Sequence, residues 1–440
     1  MDTQANLLPP PLMTGTQEIP ASARRLPHLF LLGLFIVLPG LELVAAVTGG
    51  EPDLFFSAMW AVLIILAFWG ESYGRVVSGL LAVDIVLLAC TISGFPGMYA
   101  QLGTAGVFST LAFGLFLVIR NICTFIIAPR SRVLMSMDYL KITVGYMYAG
   151  AQMIMLASVA FFATRGALGL SNRRFLAEDW LHPNKLGVYA GLAILLSFVA
   201  KEIPAWIRTL GGLLGLYMLL LSQSRAVILT VLVVGFAIWI LSLKNRSGKA
   251  LILSLVSAFV LGSALIAFAP ALAEVGPIKS MIDRTDRVDP TAGRIDVMQV
   301  AADEWTRTPF STLFGYGYRN GIFVDNAVFS YGTETGVIGL TLYAAFMLAV
   351  LAASIRIYYI AKERTTERLA MLTIVLGLAV IVRGLAERSH AFQLSDLVSN
   401  SFVFSSGLLF ASQFAKKRAR APQPAAIEPE IATPVLQPTR

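Results

Sequence analysis

The chain has 440 residues, of which 57% are hydrophobic and only 14% are charged. Soluble domains carry about 25% charged residues, so this composition excludes an ordinary soluble protein and indicates a polytopic membrane protein. Cys90 and Cys123 lie in apolar runs, and the three histidines form no ligand-spaced pair. The sequence therefore predicts no disulfide framework, no bound metal and no cofactor.

The formal net charge of +8 could suggest a nucleic-acid partner. Many of the cations, however, stand in short segments between apolar runs, as Lys244, Arg246 and Lys249 do. This distribution is the positive-inside bias, which sets membrane orientation and reads no nucleotide sequence. We therefore expect membrane lipids as partners and no nucleic acid.

Taken in chain order, the apolar runs predict about twelve transmembrane helices, because each run is long enough to cross a bilayer core. Residues 1–27 are expected to form a cytoplasmic tail, residues 28–415 the transmembrane bundle, and residues 416–440 a disordered cytoplasmic tail. The predicted fold class is an all-α polytopic membrane protein. Its spans lie near 28–48, 54–70, 76–93, 103–128, 143–163, 185–200, 206–221, 225–243, 249–270, 334–355, 369–384 and 399–415.

Alternation from a cytoplasmic N-terminus places the two longest loops, 164–184 and 271–333, outside. The inner connections are too short for a nucleotide-binding domain, and the chain has no GxxxxGK[ST] loop. We therefore expect any chemistry on the outer face. In the longer loop, Ile295, Met298, Ala302 and Trp305 follow helical spacing and predict an amphipathic helix over 292–306, with Arg294 in its first turn.

Candidate binding residues begin with Ser224-Arg225, which separates two long apolar runs with almost no room for a loop. An arginine near the membrane core is costly, so Arg225 either snorkels to the outer interface or binds an anion. A guanidinium matches phosphate oxygens in a bidentate geometry. Further arginines of the outer loops are candidates for the same anion, namely Arg173, Arg174, Arg294 and Arg319.

Asp325-Asn326 is a second polar motif, and Glu334, Gly336 and Gly339 follow it. Asp325 is expected at the outer mouth of the tenth span, where a carboxylate can accept a proton from a sugar hydroxyl. The alternative interpretation is an Asx turn or a helix cap ahead of the span.

Three further polar features have two interpretations each. His182 precedes Pro183-Asn184 and either positions substrate or starts a helix. Arg383 and Glu387 either line a cavity or pair with each other at i, i+4 spacing. Asp84 in the third span is a functional-site candidate or a partner for Arg120.

Several of these motifs, in this order and on this side of the membrane, resemble the O-antigen ligase and O-antigen polymerase family of bacterial envelope glycosyltransferases. The resemblance covers roughly residues 165–400, and the amino-terminal third matches only in hydropathy. The motifs that carry it are His182-Pro-Asn184, Ser224-Arg225, Gly293-Arg294 with Trp305, Gly315-Tyr-Gly317, Asn326, Glu334, Gly336, Gly339, Arg383 and Glu387.

The resemblance implies transfer of a glycan from undecaprenyl pyrophosphate to an acceptor glycan or lipid, on the periplasmic side of the bacterial inner membrane. It implies no metal and no nucleotide sugar. Arg225 and Arg294 would hold the carrier's pyrophosphate, and neutralising that leaving group would stabilise the transition state. Chain-length regulators and envelope assembly proteins are the macromolecular partners that it implies.

One residue favours a polymerase over a ligase. Ligases of this family that modify lipid A–core carry His-Asn where this chain has Asp325-Asn326. A carboxylate has a lower ordinary pKa than histidine and would need burial to serve as the base. We therefore expect a polymerase that joins lipid-linked repeat units into exopolysaccharide, capsule or O-antigen. The alternatives are a ligase, a secondary transporter with twelve spans, and a non-catalytic scaffold of an envelope assembly complex.

Overall fold

A computed structural model of the chain describes residues 21–48, 52–70, 82–100, 107–130, 138–164, 181–245, 294–318, 324, 326–387 and 396–420. These residues are almost entirely helical, and no strand occurs among them. The all-α class predicted from composition and hydropathy is therefore confirmed.

Several helices of the amino-terminal half are short or pass into π-helical or 3₁₀ segments. Helix α1 (Ala21–Leu32) continues through a π-helical segment (Gly33–Val37) into α2 (Leu38–Thr48). Helix α6 (Val107–Asn121) passes in the same way into a π-helical segment (Ile122–Ile127) and a 3₁₀ turn (Ala128–Arg130). The helices that follow α2 are α3 (Pro52–Gly70), α4 (Ala82–Ile92), α5 (Phe95–Ala100), α6 (Val107–Asn121) and α7 (Tyr139–Thr164).

The described α-helices from Pro183 onwards have 17 residues or more, apart from two shorter ones in the loop 271–333. In chain order they are α8 (Pro183–Val199), α9 (Ala205–Ser222), α10 (Arg225–Ser242), α11 (Arg294–Trp305), α12 (Pro309–Phe314), α13 (Ala327–Ile360), α14 (Arg364–Ala386) and α15 (Leu397–Arg420).

Six of the described helices are long and apolar enough to cross a membrane, as a polytopic membrane protein requires. The expected span at 249–270 lies outside the described residues, so the count of twelve stays a prediction. The six are Arg25–Ala45, Tyr139–Thr164, Ala205–Ser222, Arg225–Ser242, Ala327–Ile360 and Arg364–Ala386.

Two helices begin earlier than the sequence predicts. Helix α1 begins at Ala21, inside the stretch expected to form the amino-terminal tail. Helix α13 begins at Ala327, although the tenth span was expected from residue 334. The reason lies at Gly336, whose backbone has φ 68° and ψ −172° and divides α13 into a short outer part and a long inner part.

The break at Gly336 is closed by the segment Gly315-Tyr316-Gly317. Its N–H groups donate to carbonyls of α13, from Tyr316 to Thr333 at 2.7 Å and from Gly317 to Glu334 at 2.9 Å. Such carbonyls would otherwise lack partners, because the helix does not continue regularly past Gly336. The Gly-Tyr-Gly motif therefore supplies hydrogen-bond donors to backbone carbonyls next to the break in α13.

Helix α11 packs on the outer part of α13, as expected for an amphipathic helix over the bundle. The Trp305 ring lies against Gly332, and its indole N–H donates to the Thr312 carbonyl at 3.2 Å. The expected apolar stripe is partly wrong, because Ile295 is exposed and the buried position is Ala301. The face of α11 that is buried against α13 is thus rotated by part of a turn from the face predicted from the sequence.

Helix α14 occupies the centre of the described bundle and packs on α10, α13 and α15. Its most apolar window is 67% buried, the highest fraction among the six long apolar helices. Side chains near its two ends therefore meet several neighbouring helices.

Polar contacts join helix ends that the sequence places on the same side of the membrane. At the end predicted to be cytoplasmic, Arg368 contacts Glu202 at 2.6 Å and Lys244 contacts Glu367 at 3.6 Å. We call this the inner end and the opposite one, which carries the Ser224-Arg225 turn, the outer end. The alternation of the spans is consistent with these pairings.

The expected pair of Asp84 with Arg120 is wrong. Asp84 accepts from Arg130 instead, at 2.5 and 2.7 Å, and both side chains are buried. Arg120 donates to Asn121 and Asn400, and its guanidinium lies 5.2 Å from the centre of the Trp60 ring. Arg120 is near the end of α6 and Arg130 is in the 3₁₀ turn ten residues further on, and Asp84 contacts the second.

Candidate functional site

The turn between α9 and α10 has only two residues, Gln223 and Ser224, as the uninterrupted apolar runs predict. Gln223 adopts φ 50°, which is uncommon for a residue with a side chain, and it allows the chain to reverse direction. Ser224 is buried, and its hydroxyl donates to Glu387 Oε1 at 3.5 Å. Arg225 is the first residue of α10 and its side chain is exposed.

Asn326 connects the start of α13 to the outer end of α14. Its Oδ1 accepts from the N–H groups of Val328 at 2.9 Å and Phe329 at 3.3 Å, which is a helix cap. Its Nδ2 donates to the Leu385 carbonyl at 2.8 Å. The interpretation of this motif as a cap is thus confirmed for Asn326.

The end of α14 brings two distant motifs together. Leu385 is hydrogen-bonded to Asn326, and Glu387, two residues further on, is hydrogen-bonded to Ser224. The Ser224-Arg225 turn and the start of α13 therefore share one end of the bundle, although about a hundred residues separate them in sequence.

Arg383 is buried and holds two carboxylates. Its Nε lies 3.4 Å from Glu387 Oε2, at the i, i+4 spacing noted in the sequence, and its Nη2 contacts Asp396 Oδ2. Asp396 also accepts from the Ser399 hydroxyl at 3.0 Å and from the Val398 N–H at 2.9 Å.

The charge state of Asp396 follows from these contacts. Burial disfavours its charged form, but the Arg383 guanidinium and the hydrogen bonds from Ser399 and Val398 outweigh burial. The pKa of the Asp396 carboxyl is therefore lowered from its ordinary value. Asp396 and Arg383 thus form a charged pair at neutral pH.

A second acidic group lies deeper in the bundle. Glu42 of α2 accepts from Lys185 Nζ at 3.0 Å and from the Tyr189 hydroxyl at 2.8 Å, both on α8. Val188, next to Tyr189 on α8, lines one small cavity together with Arg383. The two groups therefore belong to one polar region at the outer end.

We call this region the outer cluster. It contains two cations and three carboxylates, so its own formal charge is negative and its cations already face carboxylates. An anionic substrate therefore needs additional positive charge, which the neighbouring Arg225 can supply. The members of the outer cluster are Glu42, Lys185, Tyr189, Ser224, Arg383, Glu387, Asp396 and Ser399.

The structure locates some of the expected site residues and not others. His182 is exposed and caps α8, and its Nδ1 accepts from the Asn184 N–H at 3.3 Å, which confirms a helix-start role. Glu334 is buried just before the break in α13. Arg294 is the first residue of α11, but its side chain lies outside the described part, as do Asp325, Arg173, Arg174 and Arg319.

Sequence reasoning missed five members of the outer cluster, namely Tyr189, Ser399 and the charged residues Glu42, Lys185 and Asp396, although a signal existed for Glu42. Glu42 is the only carboxylate of the first predicted span, and an ionisable residue inside a span is a functional candidate by default. Lys185 and Asp396 lie near span ends, where charged residues are common. Nothing in the sequence pattern distinguishes them from other charged residues at span ends.

Within the described residues, no three histidine, cysteine, aspartate or glutamate side chains are grouped so that they could hold a metal ion. No protein-family model matches this chain, and a search of curated proteins finds no significant match.

Proposed function

We propose that this protein is a membrane glycosyltransferase that polymerises polyprenyl-pyrophosphate-linked oligosaccharide repeat units into a surface polysaccharide. The observation that supports it most is the meeting of three motifs at the end of α14. Ser224 contacts Glu387 at 3.5 Å and Asn326 contacts Leu385 at 2.8 Å. These are motifs on which the resemblance to the O-antigen ligase and polymerase family rests.

Arg225 is the residue proposed to bind the pyrophosphate of the glycan donor. Its exposed guanidinium stands at the first position of α10, where the helix dipole also favours an anion. The neighbouring cations of the outer cluster are neutralised by carboxylates. We therefore assign the pyrophosphate to Arg225, with Arg294 of α11 as the second ligand implied by the resemblance.

The proposed reaction is a displacement at the anomeric carbon of the donor glycan. The acceptor hydroxyl oxygen forms a bond to that carbon while the bond from the carbon to the pyrophosphate oxygen breaks. The hydroxyl proton moves to Asp325, and polyprenyl pyrophosphate leaves with its added charge stabilised by Arg225 and Arg294. Glu334 and Glu387, with His182, Asn326, Arg173, Arg174 and Arg319, are proposed to contact the glycan. The site would face the periplasm of a bacterial inner membrane.

Transport is the competing function, and the broken helix α13 is the feature that favours it. Secondary transporters bind substrates at discontinuous helices, where free backbone groups coordinate the ligand. Here the carbonyls of Thr333 and Glu334 accept from Tyr316 and Gly317 instead. The break is thus filled by protein, so glycan transfer is the better proposal.

A reconstituted assay tests the proposal. Purified protein is incubated with its undecaprenyl-pyrophosphate-linked repeat unit, with and without lipid A–core, and the products are measured by mass spectrometry. Growth of the lipid-linked glycan supports a polymerase, and transfer to lipid A–core supports a ligase. Uptake by proteoliposomes without any new glycosidic bond would contradict both and support transport.

Arg225→Ala is the decisive variant in this assay. We expect at least a hundredfold loss of turnover, the scale for removing one preorganised donor to a developing negative charge. Arg364→Ala is a matched control, because Arg364 is also an exposed arginine at the first position of a helix, but at the inner end. Equal activity of the two variants would remove Arg225 from the site.

A further inference from the structure

A large groove opens at the inner end, far from the outer cluster. It has a volume of about 910 Å³, within the range of ligand sites in proteins. Its walls are the last turns of α13, the connection from α13 to α14, and Gln413 of α15. Nothing in the proposed glycosyl transfer uses this groove.

The groove is apolar on one side and basic at its rim. Ala353, Ile357 and Ile360 follow helical spacing and turn one apolar face of α13 towards it. Arg356 and Lys362 are exposed cations of its lining. The apolar face and the cations thus stand where α13 leaves the hydrocarbon core.

One acidic residue lines the groove, and it is already engaged. Glu363 precedes α14 and accepts from the Thr366 hydroxyl at 3.4 Å. With Arg356 and Lys362 the ionisable lining carries a net positive charge of one. An anionic headgroup is therefore favoured over a neutral one at this rim.

Gln413 gives an independent indication of a ligand. Its side-chain nitrogen is buried and has no hydrogen-bond partner among the described residues, although Gln413 lines the groove. A buried donor without an acceptor is destabilising, and an oxygen of a bound molecule would offset that cost. A phosphate or an ester oxygen would serve.

We propose that this groove binds one anionic phospholipid of the cytoplasmic leaflet. An acyl chain would lie along Ala353 and Ile357, and the phosphate would accept from Arg356, Lys362 and Gln413. Basic pockets between transmembrane helices on the cytoplasmic side are suited to such headgroups. The site is independent of the proposed function, since it lies at the other end of the bundle.

Native mass spectrometry of the purified full-length protein tests the site, with dioleoyl phosphatidylglycerol and dioleoyl phosphatidylcholine as probes. We expect the anionic lipid to bind about tenfold more tightly. Lys362→Gln and Arg356→Gln should each weaken its binding roughly fivefold, the effect of one basic residue near an anionic lipid surface. Gln413→Leu, which removes the donor, should also weaken it.

Two control variants keep the result interpretable. Lys141→Gln removes an exposed lysine at the start of α7, outside the groove, and should leave lipid affinity within twofold. Arg356→Lys keeps the charge and should retain most of the binding. Equal affinity for both lipids, or unchanged binding in the three groove variants, would overturn the proposal. Displacement of the lipid by an equal concentration of inorganic phosphate would also overturn it, because the site would then take free phosphate.

Discussion

Arg383 and Asp396 form a two-point pair, with Nη1 donating to Oδ1 at 3.3 Å and Nη2 donating to Oδ2. The side chains are 8% and 4% exposed, so the pair is buried. It fixes the outer end of α14 to the start of α15, and Glu387 contacts the same guanidinium. The geometry of the outer cluster therefore depends on this pair.

Asp396→Ala should destabilise the protein strongly, because among the described residues it leaves the buried Arg383 guanidinium with Glu387 as its one carboxylate. Breaking a buried pair costs about 3–5 kcal/mol. The measurement is the midpoint of thermal unfolding in detergent. The double variant Arg383→Met with Asp396→Leu removes both charges and should be more stable than Asp396→Ala. If the double variant is the less stable of the two, the pair is not what holds these helices together.

Asp396 also predicts a dependence of stability on pH. Its pKa is lower in the folded protein than in the unfolded chain, where it is about 3.9. The stabilisation is therefore complete above that unfolded value and is lost as the pH falls through the folded pKa. Thermal midpoints measured from pH 6 down to pH 3 should show this loss in the wild type. Asp396→Asn should lack this component, and an identical acid limb in both proteins would refute the assignment.

Much of the fold could be predicted from hydropathy, because each span is a continuous apolar run. The turn at Leu221–Ala226 is an example, since two long runs with four residues between them leave no room for a loop. The helix at Arg294–Trp305 was predicted from its spacing. These features are local, because the residues that cause them are close together in the sequence.

Features that depend on which helices touch could not be predicted. Ser224 and Asn326 meet the end of α14 only because α10 and α13 both pack on that helix. Asp84 contacts Arg130 in place of the expected partner Arg120, and this pairing depends on how separate helical segments pack. The spacing of apolar residues within one segment does not show which other segment packs against it.

Gly336→Ala should be destabilising, because φ 68° with ψ −172° is a backbone region essentially restricted to glycine. An added Cβ would also collide with the backbone of Leu313 and Phe314. We expect a loss of at least about 1–3 kcal/mol from the backbone alone. Gly145→Ala is the control, because nothing lies within 4 Å of its added Cβ and alanine is the better helix former there. Similar thermal midpoints for both variants would contradict the break in α13.

Asn326 should contribute to the stability of the fold in two ways, through the cap of α13 and through its hydrogen bond to Leu385. Asn326→Ala loses the cap of α13 and the bond to Leu385, a total of about 2 kcal/mol. Asn326→Ser keeps a capping oxygen but cannot reach Leu385, so it should lose about half as much. Thermal unfolding of the two variants measures the difference. If serine were as damaging as alanine, the cap would contribute nothing.

The outer cluster draws its members from both ends of the chain, from Glu42 in the first helical segment to Asp396 just before the last. During synthesis Glu42 and Lys185 are therefore made long before Arg383 and Asp396. A nascent chain that stops short of Asp396 carries an incomplete cluster, so the outer cluster is completed only late in synthesis.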